Sequence, residues 1–171
     1  FGTFYKGESI FKWGDISTCS FHATKLYHTV EGGAVITRDD DLAKKIDKMR
    51  NFGFAGPNTF HSLGINGKNS EIHAAIGLCN LNYIESILQN RKDQWDKYDL
   101  LLANLPVYKP LINQNALWNK SYYPIVFKSE KTLLEVKPEL EKNNVYPRRY
   151  FYPSLNDLHY VGNQVMNLSK S

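Results

Sequence analysis

Ser20-Phe21-His22-Ala23-Thr24-Lys25 ends one strand-like run and lies a few residues before another. Upstream, Trp13-Gly14-Asp15 reads as a turn into a short strand from Ile16. Ile16, Thr18 and Ser20 then face one side, and Ser17, Cys19 and Phe21 the other. That weak alternation suits a strand covered on both faces. Downstream, Gly32-Gly33-Ala34-Val35-Ile36-Thr37 reads as a second buried strand opened by two glycines. A lysine just beyond a buried strand, with Ser and Thr hydroxyls before it, is suited to holding an aldehyde cofactor with a phosphate tail. Its ε-amine can form an imine, and the Ser20 hydroxyl can donate to phosphate. Taken alone, the same six residues also read as a strand that ends on a solvated lysine.

Working outward, Asp39, Asp40 and Asp41 offer a cap and dipole-compatible charge to a helix whose apolar positions are Leu42, Ile46 and Met49. Residues 51–69, rich in Gly and Asn, read as loop. From Ser70 a long helix is expected, with Ile72, Ile76, Cys79, Tyr83 and Ile87 on one stripe. A second stripe, Trp95, Tyr98, Leu102 and Leu105, continues it to Pro106. Such a length without a strong breaker suggests a helix bridging two domains, bent at most around Arg91-Lys92-Asp93; two ordinary helices are the alternative. Beyond Pro106, Tyr122–Phe127 reads as a strand and Glu130–Asn144 as a helix interrupted or restarted at Pro138. Val145–Tyr152 reads as another strand, demoted to an edge or a bend by Pro147. Strand, helix and strand together suggest a small α/β layer.

Composition sets the outer bounds. The 171 residues are 42% hydrophobic and 22% charged, with 11 Gly, 7 Pro and 2 Cys, which excludes a disordered tail, a collagen-like repeat and a disulfide scaffold. No run of 18 apolar residues occurs, so no membrane span is expected. The net charge of +4 comes from 21 basic and 17 acidic residues spread along the chain, which gives no footprint for nucleic acid. Cys19 and Cys79 match no metal spacing, which fits a reducing compartment and a cytoplasmic location. His22, His28 and His61 fit no zinc pattern, and no metal is expected. Phe1-Gly2-Thr3-Phe4-Tyr5 has no initiator Met and lacks the basic flank and apolar stretch of a signal peptide, so the chain reads as cut into mid-domain.

Four segments in order resemble the DegT/DnrJ/EryC1/StrS family of sugar aminotransferases. They are Gly14-Asp15-Ile16 with Ser20–Lys25, Glu31-Gly32-Gly33-Ala34-Val35, Gly64-Ile65-Asn66-Gly67-Lys68-Asn69-Ser70-Glu71-Ile72-His73-Ala74-Ala75, and Arg148-Arg149-Tyr150-Phe151-Tyr152-Pro153. The third is similar to the family's G-x-N-x-R-x-S-E-x-x-A-A segment, and the matches together span residues 1–155. The resemblance implies an α/β chain of the pyridoxal 5′-phosphate (PLP)-dependent transferase fold type I, like aspartate aminotransferase. Residues 1–75 would be the C-terminal part of the large cofactor-binding domain. Residues 76–171 would supply the long bridging helix and the small C-terminal domain.

By the same resemblance, Lys25 is the catalytic Schiff-base lysine, Ser20 binds the cofactor phosphate, and Asn66 reaches the phosphate of a neighbouring subunit in a homodimer with shared sites. Arg148 and Tyr150 are the expected contacts to a nucleotide-sugar substrate, with glutamate as the amino donor and a dTDP-linked 3- or 4-keto-6-deoxyhexose as acceptor. A single-strand nucleic-acid platform is the lesser reading of that basic, aromatic cluster. Two departures stand out: Val30 where many relatives have Gly, and Lys68 for the usual Arg. The aspartate that pairs with the pyridine nitrogen is expected upstream of residue 1, so the chain reads as the C-terminal half of the enzyme and is not expected to catalyse well alone. A PLP-dependent sugar dehydratase is the rival within the family, although such relatives carry histidine at the Lys25 position. The rival outside it is a non-catalytic assembly piece.

Overall fold

The structure, a computed structural model, describes residues 1–160; the end of the region expected at 76–171 lies outside the described residues. The chain divides into two compact units, Phe1–Val126 and the residues from Phe127 onward.

The first unit begins with β1 (Phe4–Tyr5) and β2 (Glu8–Ser9), an antiparallel pair. β3 (Ile16–Ser20) and β4 (Gly33–Thr37) pair antiparallel in a register that runs from Ile16 opposite Thr37 to Ser20 opposite Gly33. Residues 21–32, which carry Lys25, are therefore the connection between two paired strands. Helix α1 (Asp40–Met49) follows, and the Asp39 carboxylate caps it by accepting the N–H of Asp41 and Leu42, each at 2.9 Å. Within the expected loop, β5 (Phe54–Gly56) and β6 (Thr59–Phe60) form a short hairpin.

The long helix expected from Ser70 is two helices. α2 (Glu71–Leu81) is capped by Ser70, and α3 (Ile84–Leu102) starts after a break at Asn82 and Tyr83. There the backbone switches to tighter bonds, Asn82 N–H to Cys79 O at 3.2 Å and Tyr83 N–H to Asn80 O at 3.1 Å, and Tyr83 leaves the helical region with ψ near 4°. The charged run at residues 91–93 lies inside an unbroken α3, where its side chains pair along the helix: Lys92 with Asp96 at 2.6 Å and Gln89 with Asp93 at 2.7 Å. β7 (Val107–Tyr108) and β8 (Ala116–Leu117) follow, and β8 pairs with the free side of β1, completing a three-stranded sheet.

The buried positions are few: Cys19, Leu26, Tyr27, Thr29, Gly53, Gly77 and Trp95 among the described residues. On β3 only the Ser17 and Cys19 side is covered, and Ile16 and Val35 are each 49% exposed. The expectation of strands buried on both faces is therefore corrected. The apolar stripe expected on α2 is corrected too. Ile72, Cys79 and Tyr83 are exposed and Ile76 and Ile87 only half-buried, whereas Gly77 is buried with Ala74 and Asn80 half-buried beside it. That packed face is small and polar because it meets the backbone of residues 26–29, as described below.

The chain passes into the second unit along β9 (Val126–Phe127), the only part of the expected 122–127 strand that forms. Helix α4 (Glu130–Lys142), capped by Ser129, runs through Pro138 without interruption. Proline removes one N–H there, and the turns on either side hold the rest. α4 ends with Asn144 in the left-handed region (φ 60°) and Val145 N–H returning to Leu140 O at 2.9 Å. The strand expected over residues 145–152 does not form; the segment is irregular with a turn, and Pro147 has no N–H to offer a ladder.

Candidate active site

Four hydrogen bonds wind residues 20–25 into a tight turn. The Ser20 hydroxyl accepts the His22 N–H (3.3 Å), and His22 Nδ1 accepts the Thr24 N–H (3.3 Å) and lies 3.0 Å from the Thr24 hydroxyl. The Lys25 N–H returns to His22 O at 2.9 Å. His22 is thus the hub of the lysine turn, a role its sequence position did not reveal. Its Nε2 lies 3.6 Å from the Glu31 carboxylate across the connection. His28 also acts locally, with Nδ1 accepting the Val30 N–H at 3.3 Å.

The four residues after Lys25 anchor the turn. Leu26, Tyr27 and Thr29 are buried, while residues 22–25 are exposed. Thr29 N–H donates to Phe21 O and Phe21 N–H to Gly32 O, each at 2.9 Å, and the Thr29 hydroxyl donates to Glu31 O at 2.7 Å. Gly32, at φ +156°, leaves no room for a side chain; a Cβ there would lie 2.3 Å from the Thr29 hydroxyl oxygen.

Ser20 and Lys25 open onto one cavity of about 290 Å³, shared with Phe1, Tyr27, Asn119, Ser121 and Tyr122 among others. Phe1 stacks on Tyr27 at 4.6 Å between centroids, and Phe21 meets the same ring edge-on at 5.1 Å. The far wall, Asn119–Tyr122, is tied down on both sides. Asn119 Nδ2 donates to Phe1 O (2.6 Å) and its N–H to the Thr3 hydroxyl (3.3 Å). Lys120 pairs with Asp96 on α3 at 2.9 Å, and Tyr123 donates to Asp99 at 2.7 Å. Asp99 also takes Lys109 (2.6 Å) and the Trp95 indole N–H (3.2 Å). Burial works to raise the Asp99 pKa, but these donors together hold it below the usual carboxylate value. Burial, with the Asp99 hydrogen bond and charge, pushes Tyr123 up to about 12. Sequence reasoning passed over this wall because residues 119–122 belong to no periodic element.

The other expected site residues lie elsewhere. Asn66 is exposed outside this cavity, on a segment that forms an isolated antiparallel bridge with Asn51. Arg148 and Tyr150 belong to the second unit, where the Arg148 guanidinium stands 5.6 Å from the Tyr150 ring centre and 5.7 Å from that of Phe151. Its neighbour Arg149 covers the Tyr152 ring at 3.5 Å and pairs with Glu130.

The donor set around Lys25 suits an aldehyde-bearing phosphate ester: a primary amine, a hydroxyl and aromatic rings on one cavity. The DegT/DnrJ/EryC1/StrS aminotransferase family model matches residues 1–171. The chain belongs to that family. Among curated relatives, a dTDP-4-amino-4,6-dideoxy-D-glucose transaminase of Shigella dysenteriae is 35% identical over 160 residues, covering 92% of this chain and 44% of the relative. A transaminase of the same name from Escherichia coli is 38% identical over 133 residues, covering 75% of this chain and 35% of the relative. The chain thus spans less than half the length of these two relatives. Among solved structures, that of DesI in the presence of its TDP-sugar product is 33% identical, with a TM-score of 0.83 over 92% of this chain and 41% of that one. Like other members of the DegT/DnrJ/EryC1/StrS family, the chain has the α/β architecture of the fold type I transferases.

Proposed function

We propose that the protein carrying this chain is a PLP-dependent aminotransferase that moves an amino group from glutamate to a keto-deoxysugar carried on a nucleoside diphosphate. The observation that carries the proposal is the shared cavity, onto which the Ser20 hydroxyl and the Lys25 amine both open. When bound, the cofactor supplies an electron sink for charge that develops on a substrate carbon. The chain supplies binding and proton transfer. Lys25 Nζ would take up the cofactor's aldehyde, and the same amine, once released, would take the proton from the donor's Cα. Lys25 is exposed at the head of a turn anchored from behind, which leaves that nitrogen room to swing between the two tasks. The Ser20 oxygen already accepts the His22 N–H, so its own hydrogen remains available to a phosphate.

In the same proposal, Asn66 serves the site of a second subunit in a homodimer, which fits its exposure away from the Lys25 cavity. Arg148 and Tyr150 meet the nucleotide sugar, the guanidinium on phosphate and the ring against the base or sugar. The named activities of the relatives favour a dTDP-linked keto-6-deoxyhexose as acceptor. Residues 1–75 form the end of the large domain and 76–171 the remainder, and the enzyme works in the cytoplasm.

The test is to load the protein with PLP, reduce it with borohydride, digest it and locate the pyridoxyl group. It is expected on Lys25. Lys25→Ala should abolish the adduct and lower turnover at least about 10³-fold, while Lys44→Ala on exposed α1 should change neither. An adduct on another lysine, or near-normal turnover by Lys25→Ala, would overturn the assignment.

A further inference from the structure

Helix α2 holds the lysine connection at two points that neither its apolar pattern nor the family motifs single out. The Asn80 side-chain amide donates to the His28 carbonyl at 2.9 Å, across fifty-two residues of sequence. One turn earlier, the Tyr27 hydroxyl donates to the Gly77 carbonyl at 3.3 Å in a buried contact. Gly77 itself leaves no space: a Cβ there would lie 2.7 Å from Thr29 Cγ2 and 3.0 Å from the Tyr27 oxygen. At the start of the helix, Asn69 Oδ1 lies 3.3 Å from where a Gly32 side chain would stand.

The four residues after Lys25 are thus clamped at Tyr27, His28 and Thr29, and the clamp belongs to one rigid element. We propose that Asn80 is a positioning residue for Lys25, and that with Gly77 it makes α2 the mount that fixes where the lysine turn presents its amine. Asn80 does not line the Lys25 cavity. It acts by holding the His28 carbonyl, three residues from Lys25, so that residues 22–25 can remain exposed without the turn wandering. Removing one part-buried hydrogen bond of this kind loosens a loop without unfolding a protein. The proposal rests on the aminotransferase reading for its catalytic meaning, but the clamp can be measured without it.

The experiment compares the full protein with Asn80→Ala and Asn80→Asp, the latter keeping the shape while placing an acceptor against the His28 carbonyl. Amide hydrogen exchange is followed at Phe21 and Thr29, whose N–H groups bond within the connection, and along α3 as an internal reference. Both variants should exchange about ten-fold faster at Phe21 and Thr29, equivalent to ~1.4 kcal/mol, with α3 unchanged. Their dissociation constants for PLP should rise by a similar factor, and borohydride trapping should slow. Gly77→Ala should show the same signature, and adding Thr29→Ser, which removes the obstructing methyl, should restore part of the loss. The proposal is overturned if Asn80→Asp exchanges and binds like the wild type, or if exchange rises equally along α3. If the wild type takes up no PLP at all, the aminotransferase reading fails instead, and the exchange pattern alone decides the clamp.

Discussion

Val30 stands in the left-handed region at φ +67°, where a β-branched side chain is a true outlier. Its neighbours impose the conformation: Thr29 is bonded through both its N–H and its hydroxyl, and Gly32 follows without room for a side chain. This gives a physical reason for glycine to suit this position better than valine. The strain is about 1–2 kcal/mol, and a glycine would return about 0.5–1 kcal/mol of that as backbone entropy of the unfolded chain. Val30 is 41% exposed, so little apolar burial is lost with its side chain. Val30→Gly is therefore expected to stabilise by about 0.5–1 kcal/mol, a rise of a few degrees in Tm, measurable by calorimetry. A fall in Tm would mean that the valine packs more than its exposure suggests. The departure from the family pattern was legible in the sequence as a substitution, but its cost was not, because φ depends on the closure of the whole connection.

Among the elements, α3 works as the post on which the Asn119–Tyr122 wall is hung, through Asp96 and Asp99. Tyr123 keeps its proton to about 12 in the folded state, whereas an unfolded tyrosine releases it near 10. Between those values the folded state binds more protons, so stability is complete below about pH 10 and is lost as pH rises towards 12. Tyr123→Phe should cost about 1 kcal/mol at neutral pH, and the gap between variant and wild type should close over that alkaline window. A pH series of Tm values on both proteins reads this directly; a gap that stays constant to pH 12 would remove the Asp99 bond as its cause.

This network also marks where sequence reading stopped. The paired strands around Lys25 and the Asp-capped α1 were legible, because each is specified by residues close along the chain. The break at Asn82 and Tyr83 was not, since neither residue is a strong breaker and tight local bonds end the helix there. Nor was the face of α2 that packs. Ile72 and Cys79 belong to the apolar stripe of the sequence yet are exposed, and the chain places Ala74, Gly77 and Asn80 inward, where small side chains let the helix approach the lysine connection. The motif residues Ser20 and Lys25 were found together because their spacing is short. Asn119, Ser121 and Tyr122 reach the same cavity from nearly a hundred residues away and carry no local signal.

At the scale of the whole molecule, the apolar surface is unusually open. Phe60, Leu63, Ile65, Ile72, Leu78 and Leu117 are each at least 67% exposed, while a chain of this length ordinarily buries about 70% of its unfolded surface. Five of these six lie between residues 60 and 78, where the Asn66 segment leads into α2, but Leu100, Leu111, Tyr146 and Leu155 are as exposed elsewhere among the described residues, so the open surface is spread along the chain. A surface like this leaves the 171 residues by themselves with little hydrophobic free energy to offset chain entropy. The 171-residue chain expressed alone is therefore expected to enhance the fluorescence of an apolar dye and to unfold in urea with a shallow slope, below the roughly 1–3 kcal/mol/M of small cooperative domains. Single charged substitutions at Leu63 or Ile72 should then leave its stability within about 0.5 kcal/mol, because those side chains touch little in the chain itself. Wherever further polypeptide or a second subunit covers these positions, the same substitutions should be costly. A sharp, dye-silent transition for the isolated 171 residues would show that the exposed faces are tolerated as they stand.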